Sequence, residues 1–359
     1  MAIDFTFERW EKIRKDADGW WSGDLKRPLI QMRLSGKDPG RGEPDLARVP
    51  RTAFYPFDTP AADIVDRWDF DLSSIKYLGD AFPAVIPDFG PGVIAAFLGA
   101  ETVVENDTVW FKPVDQVGLD GTTFEFDDQN DWFFRVQDLF NAGLERWEGL
   151  VQLGMTDLGG NLDILSTFRP GEALLIDLYD SPEQVKCLTW EAHEMWWRYF
   201  DRLNQLLQPV NPGYTAWTHI FSDHPYYMLQ CDFCYMIGPD MFDEFVKPEL
   251  EATCKRLSNP FYHLDGPGQL PHLDSLLEIK ELKGVQWIPG VGQPDYTHWP
   301  EVYRKIRNAG KRIQFSGTMD RFEKVAAQLG SAEGIVFMGH ADISDEPEVL
   351  EFLRKYDVI

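Results

Sequence analysis

The sequence predicts an α/β fold, namely an eight-fold β/α (TIM) barrel with an irregular N-terminal extension. Short β-type runs in the last third of the chain each precede a helical pattern. The runs are at 261–265, 285–288, 313–316 and 335–338, and the helical patterns are at 270–282, 299–309, 320–329 and 347–355. Successive strand–helix units imply parallel strands joined by right-handed crossovers. No G-x-G-x-x-G motif follows a strand, which favours a closed barrel over an open doubly wound sheet.

The chain has 359 residues, which is long enough for one large barrel with insertions. Hydrophobic residues make up 44% of it, which argues against disorder. Residues 1–130 consist of short segments broken by proline and glycine, including alternating stretches at 109–112 and 122–126. We predict that this region forms short strands and loops packed on the barrel. Residues 131–359 would form the barrel body, within one continuous domain.

Three long helices are predicted between the irregular region and the regular units. Residues 131–155 carry apolar side chains at helical spacing. A second helix begins at Ser181-Pro182, where serine suits the N-cap, proline suits the first turn, and Gln184 sits where a capping box needs it. The third covers 239–257 with a bend at Pro248, and a strand is expected before it at 226–233.

The charge balance excludes several classes of function. The chain carries 34 Lys+Arg against 59 Asp+Glu, a formal charge of −25. Such an acidic surface repels nucleic-acid phosphates and anionic membranes. The N-terminus lacks the apolar stretch of a secretory signal, no apolar run is long enough to span a membrane, and four cysteines are too few for a disulfide scaffold. We therefore expect a soluble cytoplasmic protein.

Metal ligands are predicted at the carboxyl ends of the strands, where β/α barrels carry their reactive residues. His263 and Asp265 lie two residues apart on one predicted strand, so their side chains point to the same face. His340, at the end of a later strand, would supply a third ligand and leave an open coordination position for catalysis. A histidine and an aspartate at a strand end also often bond each other or cap the next helix, so a structural role stays open.

Several other polar residues are candidates for a ligand pocket. Asp157 and Asp163 flank a Gly-Gly pair and precede Arg169, and small residues beside charged ones permit close approach to a ligand. An ordinary turn would explain this stretch equally well. Trp287, at a predicted strand end, is expected to line the pocket. Asp232 lies within a C-x-x-C segment whose two thiols are expected to be buried, because nothing completes a zinc site around them.

The C-terminal 200 residues contain motifs that resemble the uroporphyrinogen decarboxylase superfamily. CDFCYMIGPDMFDEFVKPEL at 231–250 and FYHLDGPG at 261–268 are similar to its acid-containing strand, its Gly-Pro-x-x-F-x-x-F helix and its His-bearing strand. The stretch GEALLIDLYDSPEQV at 171–185 and the final strand–helix units extend the similarity. The resemblance implies an eight-fold β/α barrel, in agreement with the strand–helix pattern.

The chain resembles the corrinoid-dependent methyltransferase branch of this superfamily more than its decarboxylases. The Arg-rich N-terminal motif with which the decarboxylases bind an acidic tetrapyrrole is missing. In the methyltransferases, zinc is held by a His-x-Cys pair and a late Cys, and the resemblance implies that His263, Asp265 and His340 occupy these positions. The N, O and N ligands would give a harder, more Lewis-acidic ion that suits an ether, hydroxyl or amine substrate.

The resemblance implies a metal-dependent methyltransferase that moves a methyl group between a small O- or N-methylated substrate and a corrinoid carried by a partner protein. Zinc or another divalent metal would be its cofactor, and a homodimer is expected. Asp232 and Gln230 would orient or protonate the leaving group. The pocket would be lined by Asp157, Asp163, Arg169 and Trp287. Two alternatives stay open: a uroporphyrinogen-decarboxylase-like lyase or carboxylate-based hydrolase acting on a small polar substrate, and a non-catalytic barrel that binds a small ligand.

Overall fold

The computed structural model describes residues 3–115 and 117–359. The helices are α1 (Phe7–Ser22), α2 (Ala61–Ser73), α3 (Ile94–Phe97), α4 (Asp131–Trp147), α5 (Asn161–Phe168), α6 (Glu172–Asp180), α7 (Pro182–Leu207), α8 (Pro239–Phe245), α9 (Lys247–Arg256), α10 (Leu273–Glu278), α11 (Pro300–Asn308), α12 (Met319–Leu329) and α13 (Glu346–Lys355). The strands are β1 (Leu29–Ser35), β2 (Ile75–Gly79), β3 (Ala84–Val85), β4 (Glu101–Glu105), β5 (Thr108–Lys112), β6 (Gln152–Leu153), β7 (Tyr226–Leu229), β8 (Asn259–Asp265), β9 (Gly284–Ile288), β10 (Arg312–Gly317) and β11 (Ile335–Asp342).

The central sheet has seven strands in the order β2-β1-β11-β10-β9-β8-β7. All neighbours pair in parallel except β2, which runs antiparallel to β1. The predicted α/β class with parallel strands is therefore confirmed. Over residues 3–115 and 117–359 the ladder ends at β2 and β7 without closing, and β3 pairs with β6 in a separate two-stranded sheet. The predicted closed barrel is thus not shown by the strand pairing.

The four predicted strand–helix units at the end of the chain are confirmed. Strands β8 to β11 contain the predicted β runs, and α10 to α13 overlap the predicted helical patterns. The helices are amphipathic. In α11, for example, Val302, Tyr303 and Ile306 are buried, while Arg304 and Lys305 are exposed. Each strand–helix unit therefore packs the apolar side of its helix against the sheet.

Three predictions about the middle of the chain need correction. The strand expected at 226–233 ends at Leu229, and a 3-10 helix follows at Asp232–Met236. The helix expected at 239–257 is divided into α8 and α9, because Pro248 has no N–H to continue the hydrogen-bond ladder. Helix α7 begins at Pro182 as predicted, but the Ser181 side chain makes no capping hydrogen bond.

The N-terminal region contributes directly to the central sheet. Strand β1 lies between β2 and β11, so the sheet includes residues from both predicted parts of the chain. The strand predicted at 109–112 is confirmed as part of β5, which forms a hairpin with β4. Asn106 and Asp107 both have positive φ at its turn, as two-residue hairpin loops require. Residues 122–126 form no strand.

The core of the C-terminal half contains an aromatic cluster between the sheet and its outer helices. Phe322 on α12 is fully buried, and its ring centroid lies 4.9 Å from that of Phe337 on β11 and 5.0 Å from that of Tyr356. Phe315 on β10 and Phe352 on α13 complete the cluster. These contacts hold two strand–helix units together. Across the described ranges, no helix combines the length and the apolar character that a membrane crossing needs.

Candidate active site

One group of potential metal ligands lies at the carboxyl ends of neighbouring strands. One ligand atom each from Asp232, His263 and Asp265 lies within 4.8 Å of the others. His263 and Asp265 are two residues apart near the end of β8, so both side chains project from one face. Asp232 begins the 3-10 helix that follows β7, the strand that pairs with β8. The predicted His263–Asp265 pair is thus joined by the predicted catalytic residue Asp232.

His340 lies outside this group. It is on β11, which is separated from β8 by β10 and β9. The group of potential ligands found in the described residues does not include it. Its register partner is Arg33 on β1. Of the three ligands expected from the sequence, the structure brings His263 and Asp265 together with Asp232 and not with His340.

The imidazole of His263 is held in one orientation by the next strand. Its Nδ1 forms a short hydrogen bond with Oε1 of Gln286, the residue opposite it on β9. An amide oxygen only accepts hydrogen bonds, so we assign the ring proton to Nδ1, which leaves the Nε2 lone pair free. Burial lowers the pKa of His263, so the ring is neutral at pH 7. A metal-binding histidine needs this neutral, oriented state.

The two carboxylates of the group lack hydrogen-bond partners. Within the described parts of the chain, neither Asp232 nor Asp265 accepts a hydrogen bond with its side chain; their backbone N–H groups bond Asp163 and Gln269. Burial raises the pKa of Asp232, and the negative charge of Asp265 raises it further. The Asp232 side chain is nevertheless accessible to solvent, because it lines two cavities that meet there. A divalent cation would satisfy both carboxylates.

One of the two cavities at Asp232, here called the polar cavity, has a volume of about 530 Å³. Its polar lining residues are Arg51, Asp88, Asp157, His219, Gln230, Asp232 and His263. Arg51 pairs with Asp88 through two contacts of 2.8 and 2.9 Å, so its charge is already neutralised. The size is typical of a small-molecule site. The predicted catalytic residues Gln230 and Asp232 therefore face a cavity together with His263.

The other cavity at Asp232, here called the apolar cavity, has a volume of about 590 Å³. Strand β5 forms one wall, from which Val109, Trp110 and Phe111 line it. Gln230 and Asp232 line this cavity as well. The candidate ligands are thus reached from two sides, one polar and one apolar.

Asp157 and Asp163 have different surroundings. Asp157 lines the polar cavity, and burial raises its pKa to about 7, with the charge of Asp232 adding to the effect. Asp163 lines the apolar cavity and accepts the backbone N–H groups of Asp232 at 3.0 Å and Phe233 at 2.7 Å. Burial raises its pKa too. Asp157 accepts the backbone N–H of Gly159 at 2.9 Å and faces the polar cavity, where it is placed to exchange a proton with a ligand. Asp163 instead holds the 3-10 helix that carries Asp232.

Two predicted pocket residues do not line either cavity. Trp287 is fully buried, and its ring packs against Trp299 with centroids 5.1 Å apart. Its neighbour Gln286 takes the inward position on β9, so alternation turns Trp287 towards the helices. Arg169 donates to Asp177 at 2.7 Å and to the carbonyl of Val117 at 3.0 Å. These contacts engage the charge of Arg169 and fix the C-terminal end of α5.

Three residues of the site were missed by the sequence analysis. Gln286 orients His263, His219 lines the polar cavity, and Arg33 lies beside His340. Polar residues inside otherwise apolar strand patterns are the signal that could have found Gln286 and Arg33. His219 lies in an irregular segment, where no strand or helix period points to it.

The fold and the site together define an α/β protein with a histidine–carboxylate group at the carboxyl edge of a parallel sheet. The chain is similar in structure to a methyltransferase from Methanosarcina mazei, with a TM-score of 0.58 and 15% sequence identity over 92% of this chain and 93% of that one. At this identity the similarity shows a shared fold. No protein-family model matches the chain, and no curated protein sequence matches it.

Proposed function

We propose that the protein is a metal-dependent methyltransferase that moves a methyl group between a small O- or N-methylated substrate and a corrinoid protein. The observation that carries this proposal is the group formed by Asp232, His263 and Asp265 at a cavity junction. The name of the structurally similar methyltransferase and the motifs at 231–268 support the methyl-transfer part. We further propose that β3 and β6 complete an eight-fold β/α barrel, since Met155 donates a backbone hydrogen bond to Thr215 beyond β6.

The residues present fit a divalent metal such as zinc. One imidazole nitrogen and two carboxylate oxygens form a three-ligand set that leaves a position for substrate. Gln286 supplies the outer hydrogen bond that metal-binding histidines need. The two carboxylates without partners supply the negative charge that a dication neutralises. When bound, the ion would act as a Lewis acid towards the methylated oxygen or nitrogen.

Protein side chains would handle the proton in this reaction. When the bond between the methyl carbon and the heteroatom breaks, the heteroatom keeps the electron pair and needs a proton. Asp157 faces the same cavity as His263, and its pKa of about 7 leaves much of it protonated at neutral pH. Gln230 lines both cavities, where its amide would orient the heteroatom.

Cobalt(II) titration of chelator-treated protein tests the metal site. We expect binding with a visible absorption band, and at least about 100-fold weaker binding for His263→Ala and Asp265→Asn, because each loses a ligand. His340→Ala is the matched control and should bind cobalt as the native protein does. Equal binding by native protein and both ligand variants, or a loss confined to His340→Ala, would contradict the proposed ligand set.

Methyl transfer is tested with cob(I)alamin as the methyl acceptor and a panel of small methyl ethers and methylamines. We expect methylcobalamin to form with at least one donor only when the metal is present, and not with His263→Ala. Formation at the same rate in chelator would contradict a metal-dependent reaction.

A second candidate function is a lyase or hydrolase that uses carboxylates alone. The raised pKa values of Asp157 and Asp232 on one cavity favour it, because a general acid needs a pKa near the working pH. Turnover of a small carboxylated or sugar-like substrate in chelator, lost in Asp232→Asn, would support this candidate over methyl transfer.

A further inference from the structure

Trp217 carries an indole N–H without an acceptor in the wall of the polar cavity. Its Nε1 atom is buried, and it has no hydrogen-bond partner among the described residues. An indole nitrogen can only donate, and a buried donor left unpaired is unfavourable. The buried Trp10 and Trp147 show the ordinary case, since each donates to an oxygen atom of the protein, at 3.1 and 2.9 Å.

Two further buried indoles lack an acceptor, but neither lines the polar or the apolar cavity. Trp20 and Trp287 are enclosed in the core, where no ligand can reach them. Among the described residues, the Trp217 Nε1 is the only buried, unpartnered side-chain atom that belongs to the lining of either cavity at Asp232. A ligand can therefore supply an acceptor to Trp217 and not to the other two.

The indole of Trp217 lies beside the imidazole of His263. The ring centroids are 4.8 Å apart with the ring planes at 83°, and both side chains line the polar cavity. The Nδ1 atom of His263 is engaged by Gln286, so Nε2 is the atom left for a metal. A ligand atom bound to a metal at His263 would thus lie next to the Trp217 ring.

Buried hydrogen bonds fix the segment that carries Trp217. The hydroxyl of Thr215 donates to the carbonyls of Thr218 at 3.1 Å and Ile220 at 2.8 Å. The hydroxyl of Thr218 lies 2.9 Å from that of Tyr226 on β7. Trp217 lies between these two threonines, so its position is set before a ligand binds.

We propose that Trp217 donates a hydrogen bond to the substrate heteroatom that binds the metal, and that it thereby selects methyl ethers over methylated amines. The metal in this statement rests on the proposed function, whereas the unpaired N–H does not. An ether oxygen has two lone pairs, so it can bind a metal with one and accept the indole N–H with the other. An amine nitrogen has one lone pair, which the metal would occupy. An amine would therefore leave the Trp217 N–H unpaired.

The same hydrogen bond would assist cleavage of the ether. When the bond between the methyl carbon and the oxygen breaks, the oxygen keeps the electron pair, and the Trp217 N–H stabilises its negative charge. Asp157 then supplies the proton, so that the product left in the cavity is an alcohol. Trp217 keeps its own proton, and the methyl carbon passes to the corrinoid acceptor of the proposed function.

The hydrogen bond is tested by calorimetry with two ligands of equal shape and the full-length protein loaded with cobalt(II). Benzyl methyl ether has an oxygen where propylbenzene has a methylene group. We expect Trp217→Phe to weaken binding of the ether about three- to tenfold, as the loss of one neutral hydrogen bond does, and to leave propylbenzene within about twofold. Unchanged affinity for the ether, or an equal loss for both ligands, would overturn the proposal.

N,N-Dimethylbenzylamine tests the selection of ethers over amines. Its affinity for the cobalt-loaded protein should change by no more than about twofold in Trp217→Phe, because its nitrogen has no second lone pair to accept the indole N–H. Protonation of the free amine is the same in both measurements and cancels from the comparison. A loss as large as that of the ether would overturn the proposed selection.

Trp287→Phe is the matched control, since it also removes a buried indole N–H without an acceptor, but outside both cavities. It should keep the native difference between the ether and propylbenzene, and a loss equal to that of Trp217→Phe would overturn the assignment. If Trp217→Phe does not fold, nuclear magnetic resonance of the native protein with isotope-labelled tryptophan provides the test. We expect one indole N–H signal to move downfield with the ether and not with propylbenzene, and the absence of this difference would overturn the proposal.

Cobalt binding separates this proposal from the proposed function. Trp217→Phe keeps Asp232, His263 and Asp265 and should bind cobalt(II) as the native protein does. If the native protein binds no cobalt, the proposed metal site fails, and the ether and propylbenzene measured without metal still test the N–H of Trp217. Absence of methyl transfer with a retained, Trp217-dependent affinity for the ether would count against the reaction alone. Methyl transfer with an ether affinity that does not depend on Trp217 would count against the role of Trp217 alone.

Discussion

The two halves of the chain build the candidate site in different ways. The C-terminal half supplies His263 and Gln286 from adjacent parallel strands, where the register places each side chain opposite the other. The N-terminal half supplies Arg51, Asp88 and Asp157 from segments outside regular strands and helices. The C-terminal half thus supplies the candidate metal ligands, and the N-terminal half supplies walls of the polar cavity together with Asp157, the proposed proton donor.

Because of this difference, we expect variants in the C-terminal half to change the free energy of unfolding and variants in the N-terminal wall to change ligand binding. The C-terminal residues of the site are held by a ladder and by buried aromatic rings, so a change behind them should be costly to folding. Strand β5, whose exposed Trp110 lines the apolar cavity, is the part of this wall where changes should alter ligand binding more than the free energy of unfolding. Variants placed in each half test this distinction.

The largest effect is expected for Phe322→Ala in the aromatic cluster. The fully buried ring contacts Phe315, Phe337, Phe352 and Tyr356, and its removal leaves a cavity. We expect the free energy of unfolding to fall by about 3–5 kcal/mol in urea denaturation. The control Phe7→Ala, on the exposed face of α1, should change it by no more than about 0.5 kcal/mol. A loss below about 1 kcal/mol at Phe322 would contradict the assigned role of the cluster.

A smaller effect is expected from Asp157: its charge should make the free energy of unfolding depend on pH. Burial raises its pKa from 3.8 to about 7, so the folded protein binds more protons than the unfolded chain between these values. Its contribution to stability is complete below pH 3.8 and is lost as the pH rises through about 7. Between pH 5 and 8, the native protein should lose about 1–3 kcal/mol more than Asp157→Asn, in which the side chain cannot ionise.

Urea denaturation of both proteins at several pH values measures this difference. Parallel stability curves for native protein and Asp157→Asn would show that the carboxyl group titrates normally, and its role as a proton donor would then lose support. A variant that diverges from the native protein in the opposite direction would indicate a carboxylate stabilised by the fold.

The sequence predicted the C-terminal half better than the N-terminal half, for a physical reason. Parallel strands with crossover helices repeat one local pattern, so β8 to β11 could be found from periodicity alone. The hairpin turn at Asn106-Asp107 has a local signal as well. Strand β1 was missed, because Gln31 and Arg33 interrupt its apolar residues and its partners β2 and β11 lie far away in the sequence.

The site was predictable only where residues share a strand. The spacing of His263 and Asp265 fixes their common face, which needs no tertiary information. His340 was grouped with them because strand ends converge at the mouth of a barrel. The predicted strand order already placed β9 and β10 between β8 and β11, but strand order alone does not say which side chains meet across that mouth. Trp287 was assigned to the pocket because it lies at a predicted strand end. Gln286 and Trp287 are both buried, and alternation alone does not say which of two buried residues faces inward.

The smallest effect on stability is expected for Trp110→Ala in the N-terminal wall. Trp110 is 54% exposed on β5 and lines the apolar cavity, so its loss should change the free energy of unfolding by no more than about 0.5 kcal/mol. Binding of a neutral aromatic ether such as anisole should weaken by about 0.5–1.5 kcal/mol in calorimetry, because an aromatic wall is removed. Val104→Ala on the same hairpin is exposed outside the cavity lining and should change neither quantity. If Trp110→Ala instead unfolds the protein while anisole binding is unchanged, the hairpin belongs to the scaffold, and the proposed division between positioning and selection does not hold.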